Sequence, residues 1–281
     1  MSRINSVIAA VLAMGVGAAT SGQTLSLIDN PSLGEFIDIT QTGQLIPLAD
    51  EEETTLDVEM FPGNFVLRSG SIVVGINGGL GFGNETETNL EPLNQQIPSP
   101  DAFIGGQATL AYWDDIDDKE GDVYLLQIMG DPELSDRVIV QWNFGNFDLT
   151  GSVLKFQVQI LFNSAMTGIY AQYLYEIQGP STGAGAGATI GYQDGDGGYG
   201  DIQFSFNQPN AVMSGTVLSL MILSPADFDG DGKVTVGDLL LLLGDWGPCA
   251  DCQVPSTCLA DIDGDCAVGI SDLLILLNSW G

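Results

Sequence analysis

A chain of 281 residues with 44% hydrophobic side chains is long enough for one large domain or two smaller ones and can bury a proper core, which excludes disorder along its whole length. Its 37 acidic residues stand against 6 basic ones, a formal charge of −31, so a polyanion such as nucleic acid is repelled along nearly the whole surface. Cations or neutral partners are the ligands this balance admits. The chain has no histidine, which removes Ser-His-Asp and Cys-His catalysis and histidine-ligated metals.

Arg3 is the only charge before an apolar run from Val7 to Val16, and small residues follow from Gly17 to Gly22. This is the layout of an export signal cleaved near Ser21, and residues 1–21 are assigned to it. A membrane anchor is the competing reading. The run falls short of the ~20 apolar residues a spanning helix needs, and no later segment supplies one. The expectation is a secreted or cell-surface protein with no membrane span.

Residues 22–223 read as an all-β body. From about Gly34 to Leu223, short runs rich in Val, Ile, Phe and Tyr alternate with Gly, Asn and Asp clusters. Asp136 to Trp142 reads as a strand. Ser152 to Phe162 alternates in part through Val153, Phe156, Val158, Ile160 and Phe162, and Gly168 to Ile177 carries Tyr170, Tyr173 and Tyr175. No ten-residue stretch here has helical apolar periodicity, so a sandwich is expected in preference to a βαβ fold or a closed barrel. The runs Val73 to Gly83, Tyr112 to Asp115, Val138 to Asn143, Phe156 to Leu161 and Ala188 to Gln193 are similar to nidogen-like β-sandwich regions of secreted bacterial proteins. That resemblance implies a fold and no activity.

Several features of the body invite a functional reading. Asp114, Asp115, Asp117, Asp118 and Glu120 follow Trp113, and carboxylates beside an aromatic could hydrolyse a glycosidic bond. Catalytic pairs come from separate strands around a cleft, however, and a consecutive run reads as a solvated turn or an extra cation site; no catalytic residue is assigned. Gly75 to Gly83 and Gly183 to Gly191 lack the following helix that a phosphate cradle needs and read as sheet connections. Asp194, Asp196 and Asp201 read as a hairpin loop, because a calcium β-roll needs several stacked turns. Asn84-Glu85-Thr86 fits a glycosylation acceptor.

At Ser224-Pro225 the composition changes, and residues 224–281 contain an internal duplication. Asp227 to Gly247 aligns without a gap with Asp261 to Gly281, a period of thirty-four residues that pairs Val234 with Val268, Leu239-Leu240 with Leu273-Leu274 and Trp246-Gly247 with Trp280-Gly281. The first repeat places Asp227, Asp229, Asp231 and Asp238 at positions one, three, five and twelve of a loop. Calcium takes several oxygen ligands, and Lys233 adds a backbone carbonyl while Thr235 supplies an oxygen or holds a water. Gly232 permits the sharp central turn. Val234 sits where two such loops pair through a short strand. The second repeat offers Asp261, Asp263, Asp265, the Ala267 carbonyl and Asp272, but Cys266 replaces the turn glycine and Gly269 gives no side-chain ligand, so a weaker site is expected unless a Cys266 disulfide holds its shape. A leucine-rich helix follows each loop, Leu239 to Leu243 and Leu273 to Leu277, and none precedes it. A solvated acidic hairpin or a thrombospondin-type stalk repeat is the plainer alternative.

All four cysteines, Cys249, Cys252, Cys258 and Cys266, fall in this tail. In an exported chain they favour two local disulfides, with three pairings open. Zinc is the rival, since Cys249 and Cys252 have metal-ligand spacing, but a second Cys-x-x-Cys is missing.

A duplicated loop followed by a helix, with Asp as the twelfth residue and no entering helix, resembles a dockerin, and the Trp-Gly ends and the cysteines resemble a cysteine-bearing bacterial subtype. The resemblance implies two calcium ions (Ca2+), two antiparallel helices and attachment to a cohesin-like receptor or other cell-surface protein. It departs from cellulosomal dockerins at Val236-Gly237 and Ile270-Ser271, where those often carry polar recognition residues. The expected protein is a secreted, non-catalytic β-sandwich carried by this tail. The alternative is cargo of polysaccharide degradation, a glycoside hydrolase or carbohydrate-binding protein, for which polysaccharide is the partner.

Overall fold

A computed structural model of the protein describes residues 24–59, 66, 70–82, 90–103, 106–116, 121–131, 134–147, 152–162, 169–178, 185–195, 200–229, 233–249 and 258–280. The export-signal assignment and the Asn84-Glu85-Thr86 acceptor lie outside these residues. Thirteen strands among them build two antiparallel sheets. In chain order they are β1 (Thr24–Asp29), β2 (Gln44–Ile46), β3 (Glu53–Asp57), β4 (Ser71–Gly75), β5 (Gly79–Phe82), β6 (Gln107–Trp113), β7 (Gly121–Ile128), β8 (Arg137–Phe147), β9 (Ser152–Leu161), β10 (Ile169–Gln178), β11 (Thr189–Gln193), β12 (Ile202–Phe206) and β13 (Val217–Leu223). One sheet runs β1-β13-β10-β9-β8-β7-β2 and the other β12-β11-β6-β5-β4-β3. Both sheets keep open edges, so the body is a sandwich and not a closed barrel.

Strand alternation builds the core. On β8 the inward set is Val138, Val140, Trp142 and Phe144, and on β9 it is Leu154, Phe156, Val158 and Ile160. The alternation expected over 152–162 therefore has the right phase at Phe156, Val158 and Ile160, while Val153 belongs to the other face and Leu154 takes its place. Trp142 stacks on Phe156 at 5.0 Å and Tyr112, from the opposite sheet, stacks on the same ring at 5.6 Å.

A buried aromatic with a polar tip needs a partner for that tip, and here the partner is the other sheet's backbone. The Trp142 indole N–H donates to the Gly75 carbonyl (3.0 Å), Tyr173 O–H to Gly191 (3.0 Å) and Tyr175 O–H to Ala111 (2.6 Å). Gly78 closes the β4–β5 turn with φ +84°, and a Cβ there would lie 2.0 Å from the Tyr112 carbonyl oxygen, so only glycine fits. The Gly75–Gly79 run is thus a sheet connection, as its lack of a following helix suggests.

Both outer faces are covered. Leu90, Ala102 and Phe103 lie over Val73, Ala108, Leu110 and Trp113 on the second sheet, and the Trp113 indole donates to the Glu91 carbonyl at 2.6 Å. On the first sheet the cover is polar. Gln172, Gln159, Gln157 and Gln141 form a buried ladder across β10, β9 and β8, with Gln172 opposite Gln159 and Gln157 opposite Gln141. They hold the segment from Leu33 to Ile39 as a strap: Gln172 donates to the Leu33 carbonyl (2.9 Å), Gln159 to Glu35 (3.1 Å) and Gln157 to Ile37, while Ile37 and Ile39 N–H donate back to Gln157 (3.3 Å) and Gln141 (2.9 Å). Asp38 completes the strap by pairing with Lys155 at 2.9 Å.

Substitutions at the strap should separate its buried and exposed bonds. Gln157→Ala strands the Ile37 amide and carbonyl and two neighbouring glutamines, and urea unfolding should show a loss on the order of 2–3 kcal/mol. Burial works against the Asp38 carboxylate, but hydrogen bonds from Thr40, Lys155 and Gln141 prevail and hold its pKa well below the ordinary 3.8. A depressed acid stabilises the fold above its unfolded pKa, and that contribution fades as pH falls from about 3.8 through the lower folded value. Because Asp38 is about two-fifths exposed, Asp38→Asn should cost less than about 1 kcal/mol at pH 7, and the cost should shrink steadily below pH ~4, a trend readable from paired denaturant curves.

Candidate functional site: two aspartate loops in the tail

The tail's two helices are α1 (Val236–Gly244) and α2 (Ile270–Asn278). Each begins three residues earlier than the leucine pattern suggests, because the loop's last residues cap it. Thr235 is the N-cap of α1, and its hydroxyl accepts the Gly237 N–H at 3.2 Å. Gly269 holds the same place before α2 without a side chain. Among the described residues no helix directly precedes either loop. A small core of Ala226, Val234, Leu242, Ala260, Val268 and Leu276 joins the repeats.

The twelfth-position aspartates do the same work in both loops. Asp238 is fully buried; one oxygen accepts the N–H groups of Phe228 (2.7 Å) and Asp229 (3.3 Å), the other that of Thr235 (2.8 Å). Asp272, thirty-four residues on, accepts Ile262 (2.7 Å) and Asp263 (3.2 Å) on one oxygen and Gly269 (2.7 Å) on the other. Burial pushes the Asp272 pKa up, but the N–H bonds from Gly269, Asp263 and Ile262 outweigh it and hold the acid below its ordinary value. A carboxylate has about four lone-pair directions, and backbone N–H groups take three of them on each of these aspartates.

Around these anchors the other acids gather. Carboxylate oxygens of Asp227, Asp229 and Asp238 lie within 4.8 Å of one another, as do those of Asp261, Asp263 and Asp265. Asp231 lies outside the described residues. Lys233 is exposed, and Ala267 lies opposite Pro248. In the second loop Asp261 takes the N–H groups of Gly264 (2.9 Å), Asp265 (3.1 Å) and Cys266 (2.9 Å), a ring of backbone donors that wraps the chain around it. Asp263 accepts from Asp265 and Asp265 from Ala267.

Cys266 adopts φ +76°, the left-handed conformation in which a side chain costs about 1–3 kcal/mol. It is disulfide-bonded to a residue outside the described set, and Cys249 is bonded to Cys258. Among the described residues no cysteine is free. Disulfides, not a zinc site, use these residues. Val234, expected where the two loops pair through a short strand, lies outside a strand but shares the small core with Val268; Val268 pairs with Gly247 and Ala267 with Pro248, as strands β14 (Gly247–Pro248) and β15 (Ala267–Val268). Gly247, at φ +126°, turns the chain after α1 onto the second loop, where it opens β14.

One face of the tail is apolar and open. Val236, Leu240 and Leu243 on α1, with Trp246 beyond it, are 61, 65, 49 and 46% exposed; their repeat mates Ile270, Leu274, Leu277 and Trp280 are 70, 56, 49 and 47% exposed. The spacing of four and three places each set on one helix stripe.

Of the body's acidic run, Asp114 and Asp115 lie among the described residues. Asp114 packs beside Gly187 and accepts the Asp115 N–H at 3.0 Å, while Asp117, Asp118 and Glu120 lie outside the described residues. Asp115 instead meets Asp50 and Glu51, all three exposed, a grouping that sequence spacing could not reveal because Asp115 stands over sixty residues from the other two. Burial, then the charges of Asp115, Asp50 and Glu91, raise the Glu51 pKa against an opposing hydrogen bond from Asn77. Trp113 is fully buried and offers no sugar platform. Asp194 is a buried loop anchor: it accepts Tyr192 O–H and Gly200 N–H, and its own N–H bonds Asp201. Asp196 lies outside the described residues.

Because the twelfth aspartates serve backbone before any metal, removing one should loosen its loop even in chelator. Asp238→Ala should cost about 1–2 kcal/mol of tail stability with no calcium present, followed by proteolysis of the tail in the full chain.

Among the described residues no helix is long and apolar enough to cross a membrane. No curated protein and no solved structure matches the chain. A family model described as NIDO related matches residues 31–228, more than half of the chain and nearly all of the sandwich just described, in keeping with the nidogen-like resemblance of its strands. The chain belongs to the NIDO-related family.

Proposed function

We propose that this is an exported, non-catalytic protein whose dockerin-like tail, loaded with two calcium ions, anchors the β-sandwich to a cohesin-like receptor or another component of a cell-surface assembly. One observation carries the reading: oxygen-rich loops and open apolar stripes recur together at the same thirty-four-residue interval. The loops explain how so small a module can be held in shape. Carboxylates a few ångströms apart repel by about 1 kcal/mol per pair even in water-like surroundings, and a divalent cation reverses that sign. Helices of nine residues do not persist alone, so their order depends on loops that close and on packing against each other. The stripes explain what the module is for. Six large apolar side chains left open along two short helices, with a half-exposed tryptophan just beyond each, are a surface that a partner covers.

Calorimetric titration of the full chain with calcium should show two binding events, and Asp227→Ala with Asp229→Ala should remove one. Calcium should retain the chain on a cell-envelope fraction, chelator should release it, and Leu240→Asp with Leu274→Asp should abolish retention while leaving calcium binding intact. Two unchanged events in the aspartate variant, or retention indifferent to calcium and to the leucines, would refute the reading.

A further inference from the structure

The repeats share their anchors and differ in the residue that their sequences place at the turn. At the position where the first loop has Gly232, the second has Cys266, held at φ +76°. Its N–H donates to Asp261 at 2.9 Å, and its carbonyl accepts the Cys249 N–H at 2.9 Å. Cys249 is bonded in turn to Cys258, three residues before Asp261, and its sulfur lies 3.6 Å from an Asp261 oxygen. The first acid of the second loop is therefore enclosed by cystine sulfur on one side and by the backbone of a cystine residue on the other. The β14–β15 pairing ties the same Cys249 segment to the loop's exit. The first loop contains no cysteine.

We propose that the second cation loop is redox-gated: its two cystines hold Cys266 in its left-handed turn, at the position where the sequence of the first loop has Gly232, so that only the oxidised chain carries a competent second calcium site. The inference rests on the calcium reading of the loops. Each cystine is opened by a small dithiol, whose two thiol hydrogens pass to the cysteine sulfurs as its own sulfurs join in a cyclic disulfide. Once opened, Cys266 has no covalent restraint in the left-handed region and relaxes toward negative φ, which turns its N–H away from Asp261. The two loops would then differ in when they bind: the first whenever calcium is present, the second only after oxidative folding. A chain still reduced would carry half of its docking module in working order.

The test uses the full chain with Asp227→Ala and Asp229→Ala, which leaves the second loop alone, and titrates calcium before and after reduction with dithiothreitol. Affinity should fall roughly tenfold or more on reduction, the scale expected when covalent restraint of a loop is lost. The complementary variant, Asp261→Ala with Asp263→Ala, should bind through the first loop equally in both states. Adding Cys266→Gly to the first variant supplies a residue that keeps a left-handed turn without covalent restraint and should shrink the loss on reduction to the part that Cys249–Cys258 contributes, a rescue that general unfolding of the tail would not give. Equal affinity before and after reduction, or loss in both loops alike, overturns the gating. A first loop that binds beside an oxidised second loop that does not also overturns it while leaving the first site standing, whereas no binding in the oxidised parent chain sinks the calcium reading itself.

Discussion

A buried side-chain oxygen must be given hydrogen-bond donors, and in this protein the nearest donors are backbone N–H groups of segments that have no other reason to stay in place. That requirement organises the tail and the outer face of the body. Asp238 and Asp272 each collect three amides and so close a loop, cap a helix and fix where the remaining aspartates stand. Gln141 and Gln157 accept the Ile39 and Ile37 amides and pin a strap across the larger sheet. Remove the acceptors and the segments lose their positions.

The same rule explains what the residues alone could and could not reveal. The strands are legible because turn residues punctuate them, and the loops because aspartates at alternate positions recur in register. The glutamine ladder is not legible: Gln141, Gln157, Gln159 and Gln172 stand at outward positions of alternating strands, where polar residues ordinarily meet water. Nothing local in Leu33 to Ile39 announces that it lies over them. Trp113, Leu110 and Val73 break the expected apolar-in, polar-out rhythm for the parallel reason that Leu90 to Phe103 covers their face. In the tail, spacing identifies the acids but not the two jobs of the twelfth one, and the Gly247 turn, which places β14 against β15, carries no periodic signal.

Charge gives the two halves different problems. Among the described residues of the sandwich three acids meet, at Asp50, Glu51 and Asp115, and all are exposed. The tail concentrates them around two points and cannot disperse them without opening its loops. A protein of net charge −31 that keeps one apolar face uncovered also disfavours pairing with its own copies, since that would bring two acidic modules together, and favours a partner that is neutral or basic around its own apolar patch.

The last strand of the body, β13, leads directly into the tail and lies between β1 and β10. Its register with β1 runs through six residue pairs, from Asp29 and Leu218 to Thr24 and Leu223, and it also pairs along β10. Tension applied through the tail therefore enters the sandwich along the axis of an inner strand and loads the hydrogen bonds of two ladders together, in shear, instead of peeling them one at a time from an edge. Tyr173 and Tyr175, on the neighbouring strand β10, pass part of that load to the opposite sheet through their hydroxyl bonds to Gly191 and Ala111. A pull on the tail is therefore shared between two ladders at the point where it enters the sandwich.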